Sequence, residues 1–478
     1  MLDHDLPFFA VGLPKIDDAF RIALGDTLGN IGPIQKGLLI KPAPVLHAGL
    51  RYKQSWTRDA AFNVWNGTPF LVPEISRDTL LSVLAQCGNE VRIGGELAQY
   101  WDAIIWSCGA WQYYLLTGDR EFLALALDAV ANSLAYSESM EFDPELNLFR
   151  GPACYGDGIS AYPDTYVQGA DGAGYIKRWP KNFPHLAAKH GFGLPMHALS
   201  TNCLFQHAYV LAGRMAAELD KPANPAWAAK ADALRQAINR HFWMPERGHY
   251  RYLVDPFGGA DVQEGLGHSF ALLFNIADDA QAASVMEKQH ITNWGIACLW
   301  PQYERYTRRG EGIYGHHSGT VWPHIPPYWA QGTLSRGRTD HFFKALTDMS
   351  TLAHKYGLFM ETHHPDTGVP YSGVQEGFES VSCHRQTWCA TGYLRLIFFG
   401  LFGMQPLPEG MAFRPLLPDG ASEMTLSPLV YRQMRLSLRV TGSGRNVRAF
   451  RVNGQSQERP LLDTNRTGEQ RIEIELAD

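Results

Sequence analysis

Ten stretches of this chain place apolar residues at three- and four-residue spacing, and no strand pattern alternates with them. They are Arg77–Gln86, Ala98–Leu116, Glu121–Ser137, Met196–Glu218, Ala226–Phe242, Ser269–Asn275, Ala280–Lys288, Gly319–Gln331, Arg338–Tyr356 and Cys383–Phe402. That spacing gathers apolar side chains on one face of a helix. Thr117-Gly-Asp-Arg-Glu supplies a start signal for the third of them. Further helices near Asp17 and Asp59 bring the number to about twelve. With no strand–helix alternation, the chain reads as mainly α rather than as a parallel α/β fold. Paired helices joined by connections of very unequal length suit a closed ring of six hairpins, an (α/α)6 barrel. Short connections fall at one end and long ones, which carry function, at the other. No repeat of fixed period is visible, which argues against a solenoid.

After Gly403 the pattern changes. MTLSPLVYRQMRLSLRVTGSGRNVRAFRVNG alternates apolar and polar residues between Gly, Ser and Asn breaks, and the final RIEIELAD alternates strictly. These are strand signals. The expected organisation is a leading segment over 1–50, the barrel over 51–403, and a small antiparallel β domain over 404–478.

Composition narrows the function. The net charge of −6 is too weak and of the wrong sign for gripping nucleic acid or an anionic membrane. No stretch approaches the roughly 18 apolar residues of a membrane span. The N-terminal MLDHDLPFFAVGLPKIDD has acids where a secretory signal needs positive charge. Seven scattered cysteines form neither a metal-spaced pair nor a disulfide framework. A cytoplasmic location is the expectation. Aromatics make up 12% of the chain, with 13 Trp and 20 Tyr. Such side chains suit a cleft for sugars, whose C–H faces stack while their hydroxyls hydrogen-bond.

Four polar, aromatic-rich stretches lie outside helix periodicity: 51–63, 150–164, 312–324 and 360–392. Glycoside hydrolysis needs two carboxyl groups across the sugar, and the inverting design separates them by ~6.5–9.5 Å to admit water. Asp157 sits in Tyr-Gly-Asp-Gly, where the glycines let a substrate approach closely. Glu361 follows the apolar run Gly-Leu-Phe-Met, a setting that can shift a carboxyl pKa. Either acid taken alone is better read as a turn-former or a solvated carboxylate. Four histidines, His316, His317, His363 and His364, with Asp366 raise the question of a metal. The His-x3-His helix spacing is missing, and adjacent side chains seldom share one ion. Neither a metal nor a cofactor is expected. No nucleophile elbow or nucleotide-binding loop occurs.

Several motifs resemble those of six-hairpin glycosidases, which include glycoside hydrolase family 63, glycogen-debranching glucosidase domains and bacterial α-L-rhamnosidases. Trp56-Thr-Arg-Asp59 is similar to their Trp-x-Arg-Asp element. Tyr314-Gly-His-His-Ser-Gly-Thr-Val-Trp322-Pro resembles Tyr-His-x-Gly-x-Val-Trp-Pro with one residue inserted. Glu361-Thr-His-His-Pro-Asp-Thr-Gly368 resembles the segment that carries the catalytic base in family 63, and Gln386-Thr-Trp388-Cys-Ala390 the opening of the last barrel helix. These matches run in the family's order over about residues 50–420.

The resemblance implies an exo-acting inverting glycoside hydrolase that releases a single sugar, an α-glucosyl unit, from a small glycoside or oligosaccharide. It makes Glu361 the general base, with Glu376 and Glu379 as rivals, and Asp157 the general acid. Arg58 and Asp59 would bind sugar hydroxyls through charge-assisted bonds. Trp56, Trp322 and Trp388 would form walls, and Tyr314, Gln386 and either His316 or His317 would make polar contacts. α-L-Rhamnosidase or α-mannosidase activity, or a sugar phosphorylase or isomerase, are the alternatives on the same barrel.

Overall fold

The computed structural model describes residues 6–95, 100–155, 160–166, 194–306, 311–375, 378–379 and 381–478. Twelve α-helices occur among them: α1 (Pro14–Gly29), α2 (Thr57–Trp65), α3 (Pro73–Leu81), α4 (Trp106–Thr117), α5 (Arg120–Glu141), α6 (Leu199–Glu218), α7 (Pro225–His241), α8 (Gly265–Leu273), α9 (Asp279–Lys288), α10 (Pro326–Ser335), α11 (Thr339–Tyr356) and α12 (Thr387–Arg395). A π-helical turn over Leu396–Leu401 continues α12. None of the described helices is long and apolar enough to cross a membrane.

Local chemistry sets the helix ends. Asp119 caps α5 by accepting the Phe122 N–H at 2.9 Å. Asp278 and Gln281 form a reciprocal capping box at α9. Gly118 and Gly357, at φ 74° and 68°, close α4 and α11 in the left-handed region that favours glycine.

The even-numbered helices form a closed circuit. α2 packs on α4, α4 on α6, α6 on α8, α8 on α10, α10 on α12, and α12 returns to α2. Odd-numbered helices lie outside, each against even-numbered neighbours. Sequence explains the division. Every residue of α2 and α12 is buried, as are Trp106–Leu116 of α4 and Gly265–Leu272 of α8. In α7 only Ala231, Leu234, Ala237 and Ile238 are buried. A helix apolar on all sides needs neighbours on all sides, whereas an amphipathic one covers it. Arg395 threads this core. Its guanidinium lies 4.7 Å from both the Trp65 and Tyr328 ring centroids and donates to Trp65 O at 2.9 Å.

Some helix limits differ from the sequence expectation for tertiary reasons. The stretch from Gly319 reaches helix only at Pro326, because Val321 bridges Ala297 and His363 in extended form. The helix expected over Arg77–Gln86 ends at Leu81, and Leu84–Cys87 pairs with Glu90–Ile93 as a hairpin.

The C-terminal region forms a six-stranded sheet: β1 (Phe8–Ala10), β2 (Glu423–Tyr431), β3 (Met434–Gly442), β4 (Asn446–Val452), β5 (Gln455–Ser456) and β6 (Gly468–Ala477), in the order β1-β2-β3-β6-β4-β5. Pairing is antiparallel except between β3 and β6. The edge strand β1 comes from the N-terminus, and Phe9 reaches the core against Phe20 and Phe402. Arg432 N–H bonds Leu116 O at 2.8 Å, so this sheet meets the C-terminal end of α4 and leaves the N-terminal end free for other contacts.

Candidate active site

Contacts link the N-terminal ends of all six inner helices. At α2, Arg58 Nη1 lies 2.5 Å from Asp102 Oδ2, just before α4. At α6, Ser200 N–H donates to Glu264 Oε2, the residue preceding α8, at 3.0 Å. Gly265 N–H bonds Cys298 O, and Cys298 N–H bonds Thr320 O, on the approach to α10. His324, also ahead of α10, stacks on Trp388 of α12 at 4.3 Å and 17°. The Arg58 guanidinium, 5.7 Å from the Trp388 ring centroid, links α12 back to α2.

Glu361 enters this ring end on an extended segment. Gly357 stops α11, Met360 bridges His384, and Glu361 N–H bonds Cys383 O at 2.9 Å. The Glu361 side chain is 6% exposed, and its Oε2 accepts the Cys383 N–H at 3.2 Å. A tight turn follows, closed by Gly368 N–H to His364 O. Helix α1 braces the segment from outside: Asp26 Oδ2 accepts the Phe359 N–H at 2.7 Å, and Asn30 Nδ2 donates to Arg385 O and Thr387 Oγ1. Asp59 is 1% exposed. Burial, reinforced by the charges of Glu361 and Asp59, pushes the Cys383 thiol up to about 11. Both carboxylates therefore act on the Cys383 thiol, four residues ahead of α12.

The aromatic residues fit together there. His317 lies flat on Trp322 at 4.5 Å and 11°, and Trp322 meets Trp388 edge-on at 6.1 Å. His316 meets the edge of Trp322, and its Nδ1 bonds Ser372. Tyr155 packs on His317 at 5.5 Å. Gln386 precedes α12 and lies against Gly49. Trp56 is half-buried ahead of α2, against Tyr52. Tyr314 turns instead to the 364–371 turn, where its OH donates to Asp366 Oδ2 at 2.7 Å. His363 and His364 bond the carbonyls of Gly368 and Gly312 through a ring nitrogen each. Asp157 and Glu376 lie outside the described residues. Glu379 pairs with Val374 in a short hairpin.

Sequence reasoning passed over Asp102, Tyr155, Glu264 and His324. His324 stood two residues beyond Trp322 in a stretch already marked as chemical. Glu264 carried no signal beyond an acid ahead of a helix. It is fully buried, its Oε1 has no hydrogen-bond partner among the described residues, and burial pushes its pKa to about 8. Through Ser200, whose Oγ accepts the Cys154 N–H, it joins the network that pins 149–154 to α6. Tyr155, Tyr252, Tyr303, Cys154 and Cys203 face it, all pushed up by burial and therefore neutral.

Because the fold raises the Glu264 pKa above its ordinary 4.5, it favours the protonated form. Its stabilising contribution is complete below about 4.5 and is lost as pH rises through about 8. Glu264→Gln should therefore gain in melting temperature relative to wild type between pH 5 and pH 8.5. A constant difference across that range would show that Glu264 is not held protonated.

A family model described as the mannosylglycerate hydrolase MGH1-like glycoside hydrolase domain matches residues 52–380. The chain belongs to this family. No curated protein matches the chain. Among solved structures, this glycoside hydrolase is similar to a sialidase (TM-score 0.68, 14% identity, 96% of the chain and 41% of the sialidase). It is similar to a GH63 mannosylglycerate hydrolase from Thermus thermophilus in complex with glucose (TM-score 0.57, 13% identity, 79% and 99%). A GH78 family rhamnosidase of Bacillus sp. GL1 is a third (TM-score 0.55, 14% identity, 99% and 44%). The hydrolase thus spans less than half the length of the sialidase and the rhamnosidase. At these identities the likeness concerns the fold. It agrees with the six-hairpin resemblance of the motifs.

Proposed function

We propose that this glycoside hydrolase is exo-acting and inverting, and releases one sugar from a small glycoside or oligosaccharide. The circuit of helices is read as an (α/α)6 barrel over 51–403 to which α1 of the leading segment adds an outer helix, backed by a β domain over 404–478 to which β1 adds an edge strand. Seven cysteines without a disulfide suit a reducing, cytoplasmic setting.

One observation carries the reading. Beside Glu361, the side-chain atoms Trp388 Nε1, Gln386 Oε1, Thr362 Oγ1 and both His324 ring nitrogens are buried without a hydrogen-bond partner among the described residues. Each such atom costs about 1–3 kcal/mol when left unsatisfied. They come from separate segments and mix donors with acceptors, which is the complement of a polyhydroxylated ligand. Tryptophan faces beside them suit its C–H surfaces.

In this reading Glu361 takes a proton from water as the water attacks the anomeric carbon. Asp157 protonates the departing oxygen from the opposite face, and the configuration inverts. Arg58, Asp59, Gln386 and His317 hold the sugar's hydroxyls, with Trp56, Trp322 and Trp388 as walls and Tyr314 and His316 beside them. An α-glucoside is the expected substrate. An α-mannoside and an α-rhamnoside belong in the same test, since the matched family and one of the compared enzymes carry those sugars in their names.

A panel of p-nitrophenyl glycosides should reveal the sugar, and proton NMR should show the anomer of opposite configuration forming first. Initial release of the retained anomer would remove the inverting mechanism. Turnover that requires inorganic phosphate would make the protein a phosphorylase.

A further inference from the structure

His324 is 1% exposed, and neither ring nitrogen has a hydrogen-bond partner among the described residues. This sets it apart from His316, His363 and His364, each of which bonds a backbone carbonyl. A neutral imidazole has one N–H to give and one lone pair to fill, and burying both unmet is costly. Its ring is locked in place. It stacks on Trp388, meets Trp322 edge-on at 5.6 Å, and contacts Phe62 at 5.7 Å and Tyr155 at 6.4 Å. No packing role requires an imidazole among four aromatic rings, since a phenyl ring would fill the space without unmet polar atoms.

The stacking partner adds the second observation. Trp388 Nε1, a pure donor, is likewise buried without a partner among the described residues, as is the acceptor Gln386 Oε1 two residues earlier. His324 and Trp388 are stacked nearly parallel, so their edges lie side by side. Residues 386 and 388, at the start of α12, thus contribute an acceptor and a donor, and His324, stacked on Trp388, a group that is either one.

We propose that His324 binds the sugar of the cleaved unit directly, its imidazole donating to one hydroxyl oxygen and accepting from another. The assignment rests on the glycosidase reading above and adds a specificity-determining residue to it. Burial, with the charges of His317 and Arg58, holds the His324 pKa well below its ordinary value, so the ring keeps both roles across the neutral range.

The test uses the full chain and the p-nitrophenyl glycoside that wild type cleaves fastest, with its series of monodeoxy analogues. His324→Ala should lower kcat/KM by about 10–100-fold, the loss expected for one buried hydrogen-bonding group. Wild type should discriminate against one or two deoxy analogues by a similar factor, and the variant should treat those analogues like the parent. His324→Gln, which can still donate and accept, should recover part of the rate. If every analogue loses the same factor in wild type and variant, His324 only packs the wall and the proposal fails. A second measurement does not depend on turnover. Nitrogen-15 spectra of the imidazoles, recorded with D-glucose, D-mannose or L-rhamnose, should show His324 signals shifting for a sugar that calorimetry finds bound. Sugar binding with unmoved His324 signals overturns this proposal and leaves the glycosidase reading intact. Absence of both binding and cleavage for every sugar overturns the two together.

Discussion

Replacement of Glu361 by Gln is expected to lower kcat by about 10³–10⁴-fold, the upper part of the range for a lost acid–base group. The reason is chemical rather than structural. Glu361 Oε2 accepts the Cys383 N–H, and the amide oxygen of Gln can accept it equally well. The extended segment is held independently by Asp26 at Phe359 and by the mutual bonds of Thr362 and Ser382. The variant should therefore melt where wild type does while losing the ability to take a proton from water. Stopped turnover with an unchanged melting curve and retained sugar binding is the expected combination. A variant that keeps a tenth or more of wild-type kcat would remove Glu361 from the chemistry and bring Glu379 and Glu376 forward as the base. The companion change, Asp157→Asn, should cost turnover most with poor leaving groups and least with p-nitrophenolate, which departs without a proton.

The second large effect concerns stability as well as activity. Arg58 and Asp102 form a buried ion pair, 8% and 3% exposed. Removing one partner takes this bond from the other's buried charge, a loss of up to about 3–5 kcal/mol, whereas removing both together is much milder. Arg58→Met should lower the unfolding free energy measured in urea by an amount in that range. The double change Arg58→Met with Asp102→Asn should recover most of it. Turnover should stay low in both, because the guanidinium also stands over Trp388 and its proposed work on the sugar is not restored. Equal stability of the single and double variants would mean that the pair does not couple the starts of α2 and α4. Recovery of activity in the double variant would take Arg58 out of the sugar site.

Much of the fold was legible because helix periodicity is a local property. The amphipathic stretches at Glu121–Ser137, Ala226–Phe242 and Arg338–Tyr356 became α5, α7 and α11 with small shifts at the ends. Asp119, read as a start signal, caps α5. The alternation after Gly403 became strands β2, β3, β4 and β6. Local pattern failed where a partner distant in the chain decided the conformation. The stretch after Gly319 looks helical, yet Val321 is drawn out by Ala297 and His363. Nothing local marks Phe8–Ala10 as an edge for a strand more than 400 residues away, or β3 and β6 as a parallel pair.

The site divides the same way. Trp322, Trp388, Arg58, Asp59 and Glu361 could be picked out from ordered motifs, whose spacing along the chain is visible. Asp102, Glu264 and His324 could not, because a single acid or histidine becomes informative only when its burial and its partners are known. Residue types and their periods therefore determined which segments are helix or strand, which helices are apolar on every side, and which loops hold carboxylates and tryptophans. Only the closed circuit of helices decided which of those groups meet, because burial, hydrogen-bond satisfaction and pKa depend on neighbours that arrive from other parts of the chain.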